Sequence, residues 1–249
     1  MDRNTNHAPV ALITGASRGL GLELAKALAV DGWQLVVTAR TEHELARAAD
    51  LLRQYTTVVA LPGSVVDDDH RARLAEAAAR LGGTALLVNN ASTLTGYDLA
   101  GAALPALADF PLPGLLETFE VGVLAPIALT QLVLPQLREH GGAVINVSSD
   151  AAVEAYPGWG GYGAAKAALD HASAVLAVEE PALRVWSVDP GSMRTRMLQE
   201  AGEDLAAARP PAAVVPAFRS LLRDRPASGR YRAAALLGAE PAVVGGERA

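Results

Sequence analysis

Tyr162 and Lys166 are four residues apart in a segment with helical spacing, so their side chains share one face of a helix about one turn apart. The chain contains only two lysines, which argues against a chance pairing. Lowering the pKa of a phenol from about 10 to about 7 takes roughly 4 kcal/mol, which an ammonium in a dry cleft can largely supply. The pair predicts a tyrosine that acts as a general acid or base.

A glycine-rich turn, "TGASRGLG" at residues 14–21, follows the first apolar run of the chain. Glycines permit a tight turn from strand to helix and let a phosphate approach the backbone amides and the positive end of that helix. We therefore predict a dinucleotide pyrophosphate here, bound by Gly15, Ser17, Arg18, Gly19, Leu20 and Gly21. A turn with only a structural role is the alternative, because the chain has 23 glycines.

Alternating apolar runs and helical segments must position these groups. Runs rich in Val, Leu and Ile predict buried strands at residues 10–14, 34–38, 57–61, 85–88, 143–147 and 184–188. Helical spacing is found between them, at residues 21–32, 41–55, 67–81, 119–137 and 161–180. The alternation predicts an α/β fold with a doubly wound parallel sheet and helices on both faces. No linker divides the 249 residues, so we expect one domain with ligands beyond the carboxyl ends of its strands.

Five motifs occur in order at the ends of the predicted strands: "TGASRGLG" (14–21), "NNAS" (89–92), "NVSS" (146–149), "YGAAK" (162–166) and "DPGSMRT" (189–195). From about residue 9 to about residue 232, the chain resembles the classical short-chain dehydrogenase/reductase family. The resemblance implies a single-domain Rossmann-like sheet of about seven strands. It also implies that Tyr162 is the general acid or base, with Lys166 beneath it. The family's spacing to the tyrosine selects Ser149 over Ser148 as the residue that hydrogen-bonds the substrate oxygen.

The cofactor implied by the resemblance is a nicotinamide dinucleotide, with further contacts from Ser64, Val65, Asn90, Ala91, Tyr162, Lys166, Pro190, Gly191, Met193 and Thr195. The second strand ends without the acidic residue that usually holds the ribose hydroxyls of NAD. Arg40 and Arg18 instead predict charge-assisted hydrogen bonds to a 2′-phosphate, and so a preference for NADP(H). Two solvated surface arginines are the alternative. Ser64 stands where relatives usually have an aspartate that binds the adenine amino group.

Gly122 and Pro126 interrupt the apolar helix predicted over residues 119–137. Gly122 occupies the place of the family asparagine that supports a proton relay behind the lysine. Because Pro126 has no N–H, the carbonyl of Gly122 has no helical donor. We predict that this backbone carbonyl accepts a hydrogen bond from a water beside Lys166 and so preserves the relay. The alternative is a non-catalytic or weakly catalytic cofactor-binding or regulatory protein on the same fold.

Apolar side chains near the predicted catalytic residues favour a small apolar or aromatic ketone, or the corresponding secondary alcohol, as substrate. They are Val153, Tyr156, Trp159, Met193, Met197 and Leu198. The last three belong to a predicted substrate lid over about residues 191–212. Packing beneath the lid without a role in binding is the alternative.

Composition bears on partners and location. The net charge of −6 and pI near 5.4 argue against a nucleic-acid or anionic-membrane surface. The polar N-terminus lacks the apolar core of a signal peptide and the chain has no cysteine, so we expect a cytoplasmic protein with no membrane segment. No two of the five histidines are three or four residues apart, and no metal site is predicted. Residues 1–8 and about 238–249 are expected to be flexible tails.

Two segments, residues 113–137 and 158–178, are apolar over much of their surfaces. Helices that are apolar all round are usually buried. In the resembling family these two helices form a subunit interface. We therefore expect a homodimer or a homotetramer.

Overall fold

A seven-stranded parallel sheet forms the centre of the protein. The computed structural model describes residues 8–94 and 104–238. The strands are β1 (Val10–Thr14), β2 (Gln34–Ala39), β3 (Val58–Pro62), β4 (Thr84–Asn89), β5 (Ala143–Val147), β6 (Arg184–Asp189) and β7 (Gly229–Arg232). Their order in the sheet is β3-β2-β1-β4-β5-β6-β7, which confirms the predicted doubly wound topology. The tails predicted at residues 1–8 and 238–249 lie almost wholly outside the described residues.

Helices cover both faces of this sheet. They are α1 (Gly19–Val30), α2 (Glu42–Leu52), α3 (Asp68–Arg80), α4 (Leu112–Phe119), α5 (Ala125–His140), α6 (Gly160–Glu179), α7 (Arg196–Glu200), α8 (Val215–Asp224) and α9 (Ala233–Leu236). The helices predicted at residues 21–32, 41–55, 67–81 and 161–180 correspond to α1, α2, α3 and α6.

Two apolar cores hold the layers together, because successive side chains of a strand point to opposite faces of the sheet. In β1, Ile13 packs into one core and Leu12 into the other, and both are fully buried. The first core includes Leu24, Leu45 and Phe218 from α1, α2 and α8. The second includes Leu74 and Leu129 from α3 and α5. The chain winds outward in opposite directions from β1 and β4, which opens a crevice at the carboxyl ends of these two strands.

The sequence pattern did not locate β7. Its residues, "GRYR", form no apolar run, and its side chains are only partly buried. β7 pairs with β6 at the edge of the sheet, where a strand needs no apolar side chains on both faces. Its position follows from pairing with β6, which the sequence alone does not reveal.

The predicted helix over residues 119–137 is irregular in the structure. Glu120–Leu124 form a π-helical segment between α4 and α5, in which the N–H of Ala125 donates to the carbonyl of Glu120. Pro126 has no N–H to offer a regular α-helix, and π-helical segments are often found at functional sites. The predicted helix is therefore longer than expected, from Leu112 to His140, and the predicted interruption at Gly122 and Pro126 is this π-helical segment.

The stretch Leu112–His140 is long and apolar enough to cross a membrane, judged by length and composition alone. Its most apolar window has a mean hydropathy of 1.5, and half of that window is buried inside the protein. A core or interface helix of a globular protein has the same character. This stretch is therefore weak evidence for a membrane span.

Candidate active site

A cleft of about 760 Å³ lies at the carboxyl ends of the strands, where the crevice between β1 and β4 was expected to hold a ligand. Most of the residues predicted for the site line it. They are Gly15, Ser17, Arg18, Gly19, Leu20, Arg40, Ser64, Val65, Asn90, Ala91, Ser149, Tyr162, Lys166, Pro190, Gly191, Met193 and Thr195. Gly21 and Gly122 are both buried and do not belong to this lining.

The glycine turn leaves no room for side chains at two of its positions. Gly15 has a φ of +66°, and a Cβ there would lie 2.8 Å from Nδ2 of Asn90. A Cβ on Gly21 would lie 2.3 Å from the carbonyl oxygen of Gly15, so Gly21 serves close packing behind the turn. The turn leads directly into α1, whose first amides have no intrahelical partner and no side-chain cap from Arg18. A tight glycine turn at the start of a helix, or glycine cradle, fits the pyrophosphate of a dinucleotide, and Gly15 is needed for its shape because a side chain there would meet Asn90 and Ala91.

Thr14 and Asn90 fix the turn against β4. The Thr14 hydroxyl accepts hydrogen bonds from the backbone N–H groups of Asn90 and Ala91, each at 3.0 Å. The Asn90 side chain donates to the carbonyls of Thr14 and Gly15, at 2.9 and 3.1 Å. Asn90 therefore contributes to the cleft by stabilising the conformation of the glycine turn. The role of Thr14 was missed in the sequence, although it precedes the first glycine directly.

Charged side chains surround the part of the cleft that follows β2. Arg40 is exposed, whereas Arg18 forms an ion pair with Glu44 at 2.9 Å. Arg196, at the start of α7, lies 3.7 Å from the same carboxylate. A ligand phosphate would therefore compete with Glu44 for Arg18, a partner that the sequence did not indicate. The Ser64 hydroxyl accepts a hydrogen bond from the N–H of Val66 at 3.3 Å.

Tyr162 and Lys166 are both buried where α6 packs against the carboxyl end of β5. Their side chains are on the predicted common face of the helix, with Nζ of Lys166 5.4 Å from the centroid of the Tyr162 ring. Nζ also donates to the carbonyl of Val147 at 2.6 Å. The residues are only 9% and 3% exposed, so neither is a solvated surface side chain.

Burial decides the protonation of this pair. It raises the pKa of Tyr162 well above that of a free phenol, while the neighbouring hydroxyls of Ser149 and Ser92 act in the opposite direction. The lowered phenol pKa predicted from the sequence is therefore wrong for the protein alone. Burial also lowers the pKa of Lys166 to about 8, and the Asp170 carboxylate opposes that change. At neutral pH the pair consists of a protonated phenol and an ammonium.

Ser149 follows β5 in an extended conformation and caps a short helical turn over Asp150–Ala152. Its hydroxyl donates to Oδ1 of Asp150 at 2.9 Å and accepts from the N–H of Ala151 at 3.2 Å. Ser148 points elsewhere, because its hydroxyl donates to Oδ2 of Asp170 at 2.8 Å. Both serines line the cleft, and the Ser149 hydroxyl is the one that neighbours Tyr162.

Gly122 lies in the π-helical segment and packs against α6 one residue from Lys166. A Cβ built on Gly122 would lie 3.5 Å from Cβ of Ala165, which is an ordinary contact. Space alone therefore does not require glycine at this position.

Apolar side chains close one end of the cleft. Leu94, Phe110, Tyr162 and Ala201 form a small buried cluster, with Trp159 and Met197 packed against it. The indole N–H of Trp159 donates to Glu203 at 3.1 Å, which ties the segment around residues 191–212 to the start of α6. Within the same segment the backbone N–H of Arg194 donates to the carbonyl of Arg209 at 2.8 Å.

Three further residues near the site were missed in the sequence. Asp170 lies one turn after Lys166 on α6, so its spacing could have indicated it. Arg230 on β7 donates to the backbone carbonyl of Ser149 at 2.8 Å, and no sequence signal points to it. Ser92 stands beside Tyr162 at the last position of "NNAS". Across residues 8–94 and 104–238, no group of three or more His, Asp or Glu side chains is arranged to hold a metal ion.

A sequence profile described as short chain dehydrogenase matches residues 9–206, which is most of the chain. The chain belongs to the short-chain dehydrogenase family. It is 34% identical over 198 residues to an uncharacterised oxidoreductase of Mycobacterium tuberculosis, covering 76% of this chain and 71% of that protein. It is 31% identical over 219 residues to a rhamnolipid-biosynthesis 3-oxoacyl-[acyl-carrier-protein] reductase of Pseudomonas aeruginosa, covering 84% of this chain and 82% of that protein.

Solved structures of short-chain dehydrogenases agree with the fold. An alcohol dehydrogenase from the archaeon Thermococcus sibiricus, complexed with 5-hydroxy-NADP, superposes with a TM-score of 0.81. The two sequences are 26% identical, and the match covers 91% of this chain and 96% of that chain. The resemblance stated from the five motifs is therefore confirmed, and with it the assignment to an oxidoreductase family.

Proposed function

We propose that the protein is an NADP(H)-dependent oxidoreductase that interconverts a small apolar or aromatic ketone and its secondary alcohol. One observation carries this proposal above the others. Tyr162 and Lys166 are buried together in the same cleft as the glycine cradle, with Ser149 beside them. A protein that only bound a dinucleotide would need the cradle but not a buried phenol and ammonium.

The cofactor is held by the cradle and by the strand ends around it. Gly15, Ser17, Gly19 and Leu20 receive the pyrophosphate at the start of α1, and Ser64 and Val65 line the adenine side. Asn90, Ala91, Pro190, Gly191, Met193 and Thr195 surround the nicotinamide side. When bound, a nicotinamide cofactor supplies or accepts the hydride.

Tyr162 holds the proton that a carbonyl oxygen needs. Its raised pKa keeps the phenol protonated at neutral pH, as a general acid for ketone reduction must be, and in the reverse reaction the phenolate takes the alcohol proton. The Lys166 ammonium, one helical turn away, favours the phenolate that forms as the proton leaves. Ser149 turns its hydroxyl from Asp150 to the same carbonyl oxygen and fixes that oxygen against Tyr162.

Preference for NADP(H) is supported by two features at the end of β2. No acidic side chain follows the strand directly, and Arg40 and Arg18 line the cleft next to it, where Arg18 is paired with Glu44. Arginine binds phosphate through paired hydrogen bonds, so the 2′-phosphate has a matching donor. The related archaeal alcohol dehydrogenase was solved with an NADP derivative.

An apolar substrate is supported by the side chains at the closed end of the cleft. Leu94, Trp159, Met193, Met197 and Leu198 line it, whereas Val153 is exposed outside it. The segment over about residues 191–212 acts as the substrate lid. Two relatives are named for carbonyl reduction, the 3-oxoacyl reductase and a benzil reductase of Saccharomyces cerevisiae at 32% identity.

The proton relay runs through the backbone carbonyl of Gly122. The segment around it is π-helical, and Pro126 cannot bond this carbonyl in the α-helical pattern. Gly122 packs against α6 next to Lys166, so its carbonyl belongs to the helical segment in contact with the helix of the lysine. A water held there passes protons to Lys166 without the family asparagine.

A homodimer or homotetramer in the cytoplasm completes the proposal. Several large apolar side chains of α4 to α6 are more than two-fifths exposed in the single chain, including Leu116 at 66%, Leu124 at 58%, Leu132 at 44% and Val175 at 42%. A patch of this kind on a globular protein marks an interaction site. A strict monomer in light scattering at micromolar concentration would contradict the assembly.

A non-catalytic regulatory protein is the second candidate, and Gly122 is the observation that favours it. Loss of the relay would leave a cofactor-binding protein with little turnover. Cofactor binding followed by fluorescence, in parallel with turnover, separates the two candidates.

The test is a panel of aliphatic and aromatic ketones with NADPH or NADH, followed by cofactor absorbance. We expect turnover on at least one apolar ketone and higher kcat/KM with NADPH than with NADH. Tight binding of NADPH without turnover across the panel would favour the regulatory protein, and equal efficiency with NADH would overturn the cofactor preference.

A further inference from the structure

Arg230, on the edge strand β7, connects three elements that carry the proposed active site. Its Nε donates to Oδ2 of Asp170 on α6 at 3.0 Å. One terminal nitrogen donates to the backbone carbonyl of Ser149 at 2.8 Å and lies 3.5 Å from Oδ2 of Asp189 at the end of β6. The Arg230 side chain is 26% exposed, so most of the guanidinium is inside the protein.

Each partner of Arg230 adjoins a residue with a role in the proposed function. The Ser149 carbonyl belongs to the serine that fixes the substrate oxygen. Asp170 is one turn after Lys166 on the same helix. Asp189 precedes the Pro190–Gly191 turn and accepts a hydrogen bond from the N–H of Gly191 at 2.9 Å.

The charged side chains of this cluster are more deeply buried than those of a typical surface ion pair. The Asp170 and Asp189 side chains are 14% and 3% exposed, and their cationic partners come from β7. Oδ2 of Asp170 accepts hydrogen bonds from Arg230 and from the Ser148 hydroxyl. Oδ1 of Asp170 is buried, and it has no hydrogen-bond partner among the described residues. A buried carboxylate left partly unsatisfied retains much of its electrostatic effect on its surroundings.

Asp170 also acts on the charge of Lys166, which lies four residues before it on α6. Asp170 favours the ammonium, whereas burial disfavours it. On its own helix Lys166 is also close to Tyr162. The charged groups on the elements packed against α6 are Asp150, Asp189, Arg230 and Arg232 near the carboxyl ends of the strands, Arg184 at the opposite end of β6, and Glu117 and Glu120 on the helices beside it.

We propose that Arg230 and Asp170 are positioning residues of this site. Arg230 fixes the backbone of Ser149 relative to α6, and Asp170 supplies the negative charge that keeps Lys166 an ammonium. The expected effect of Arg230 on turnover rests on the proposed function. The expected effect of Asp170 on the charge of Lys166 does not depend on any activity. A purely structural ion pair that attaches β7 to the sheet is the competing explanation.

The charge of Lys166 can be observed directly, because Lys26 and Lys166 are the only lysines of the chain. Labelling lysine with ¹³C at Cε gives two NMR signals, and Lys26, whose side chain is 40% exposed, serves as the internal reference. In Asp170→Asn we expect the Lys166 titration midpoint to fall by at least about half a pH unit, with Lys26 unchanged. Asp170→Glu should keep the midpoint close to that of the wild type. An unchanged Lys166 midpoint in folded Asp170→Asn would overturn the role of Asp170.

The role of Arg230 is tested by measuring kcat, KM and the melting temperature of its variants. In Arg230→Gln we expect kcat for ketone reduction to fall by about tenfold or more, with the KM for NADPH changed less than about threefold. Arg230→Lys keeps the charge but cannot contact the Ser149 carbonyl and two carboxylates at once, so kcat should stay low while the melting temperature recovers. The control is Arg138→Gln, which removes a surface ion pair to Glu180 just after α6 and should leave kcat unchanged.

Two results would overturn the positioning role of Arg230. One is normal kcat in Arg230→Lys, which would mean that charge alone is sufficient. The other is a lower melting temperature in Arg230→Gln with normal kcat, as expected of a structural ion pair. If the wild type shows no turnover on any ketone, the proposed function fails, whereas the Lys166 titration still decides the role of Asp170.

Discussion

The glycine turn and the Tyr162–Lys166 pair lie in one cleft but are built in different ways. The turn is a short stretch of backbone held against the end of β4, and its requirements are steric, such as the 2.8 Å approach of Asn90 to a Cβ on Gly15. The pair depends on charged and polar groups from β5, α6, β6 and β7. Cofactor binding at the glycine turn should therefore depend on side-chain volume. Turnover at the Tyr162–Lys166 pair should depend on pH and on substitutions of residues distant in the sequence.

Lys166→Met should strongly reduce turnover by the Tyr162–Lys166 pair. Removal of the ammonium leaves the phenolate without its nearest stabilising charge, so we expect kcat for ketone reduction to fall by about 10³. Cofactor absorbance under saturating NADPH measures this effect. A fall of less than about tenfold would contradict an electrostatic role for Lys166, and Lys26→Met is the matched control.

Gly15→Ala tests the steric side of the comparison. The added Cβ meets Asn90 and the backbone of Ala91, and we expect NADPH to bind about 100-fold more weakly, or about 2.7 kcal/mol. Fluorescence titration with NADPH measures the change. Gly141→Ala is the control, because Gly141 also has a positive φ, of +53°, but nothing lies within 4 Å of its Cβ position. Equal loss of binding in both variants would show that backbone strain, not the cradle, causes the effect.

The pH dependence should separate the two parts of the site. The pKa of Lys166 is lowered to about 8, so the ammonium is present below pH 8 and is lost as the pH rises through 8. We expect kcat/KM for ketone reduction to fall about tenfold for each pH unit above 8, because the free enzyme then lacks the ammonium. NADPH binding at the glycine turn should change much less over the same range.

Stability should show the opposite trend in the same pH window. The unfolded chain holds the Lys166 proton up to about pH 10.4, whereas the folded protein releases it near 8. The unfolded state thus binds more protons between these values, and the Lys166 contribution to the free energy of unfolding rises with pH there. Urea unfolding at several pH values, compared with Lys166→Met, isolates this contribution. A wild-type profile parallel to that of the variant would contradict the lowered pKa.

Arg40→Gln should have the smallest effect, because Arg40 is exposed and its interactions are screened by solvent. We expect NADPH to bind about fivefold more weakly, or about 1 kcal/mol, with NADH binding unchanged. Arg47→Gln, an exposed arginine on α2 outside the cleft, is the control. A parallel loss of NADH binding would show that Arg40 does not contact the 2′-phosphate.

The same comparison explains how far the sequence could predict the site. The glycine turn and the Tyr162–Lys166 pair were identified because each is a local pattern, a tight turn in one case and one helical turn in the other. The pairing of Arg18 with Glu44 and the contact of Arg230 with Ser149 join residues 26 and 81 positions apart, and no local pattern records them.

Burial accounts for most of the remaining errors. The direction of the Tyr162 pKa change was wrong because the motif shows the neighbouring ammonium but not the depth of the phenol. β7 was not located because an edge strand with two arginines has no apolar pattern. The π-helical segment around Gly122 was only partly predictable, since Pro126 signals a missing donor but not which hydrogen bonds replace it.

The central claim is that Tyr162 is the proton donor in NADPH-dependent ketone reduction. The most direct measurement compares the wild type with Tyr162→Phe, using NADPH absorbance for turnover and fluorescence for NADPH binding. The account predicts that kcat falls by about 10² to 10⁴ in the variant while the dissociation constant of NADPH stays within about threefold of the wild type. Unchanged kcat in Tyr162→Phe would contradict it.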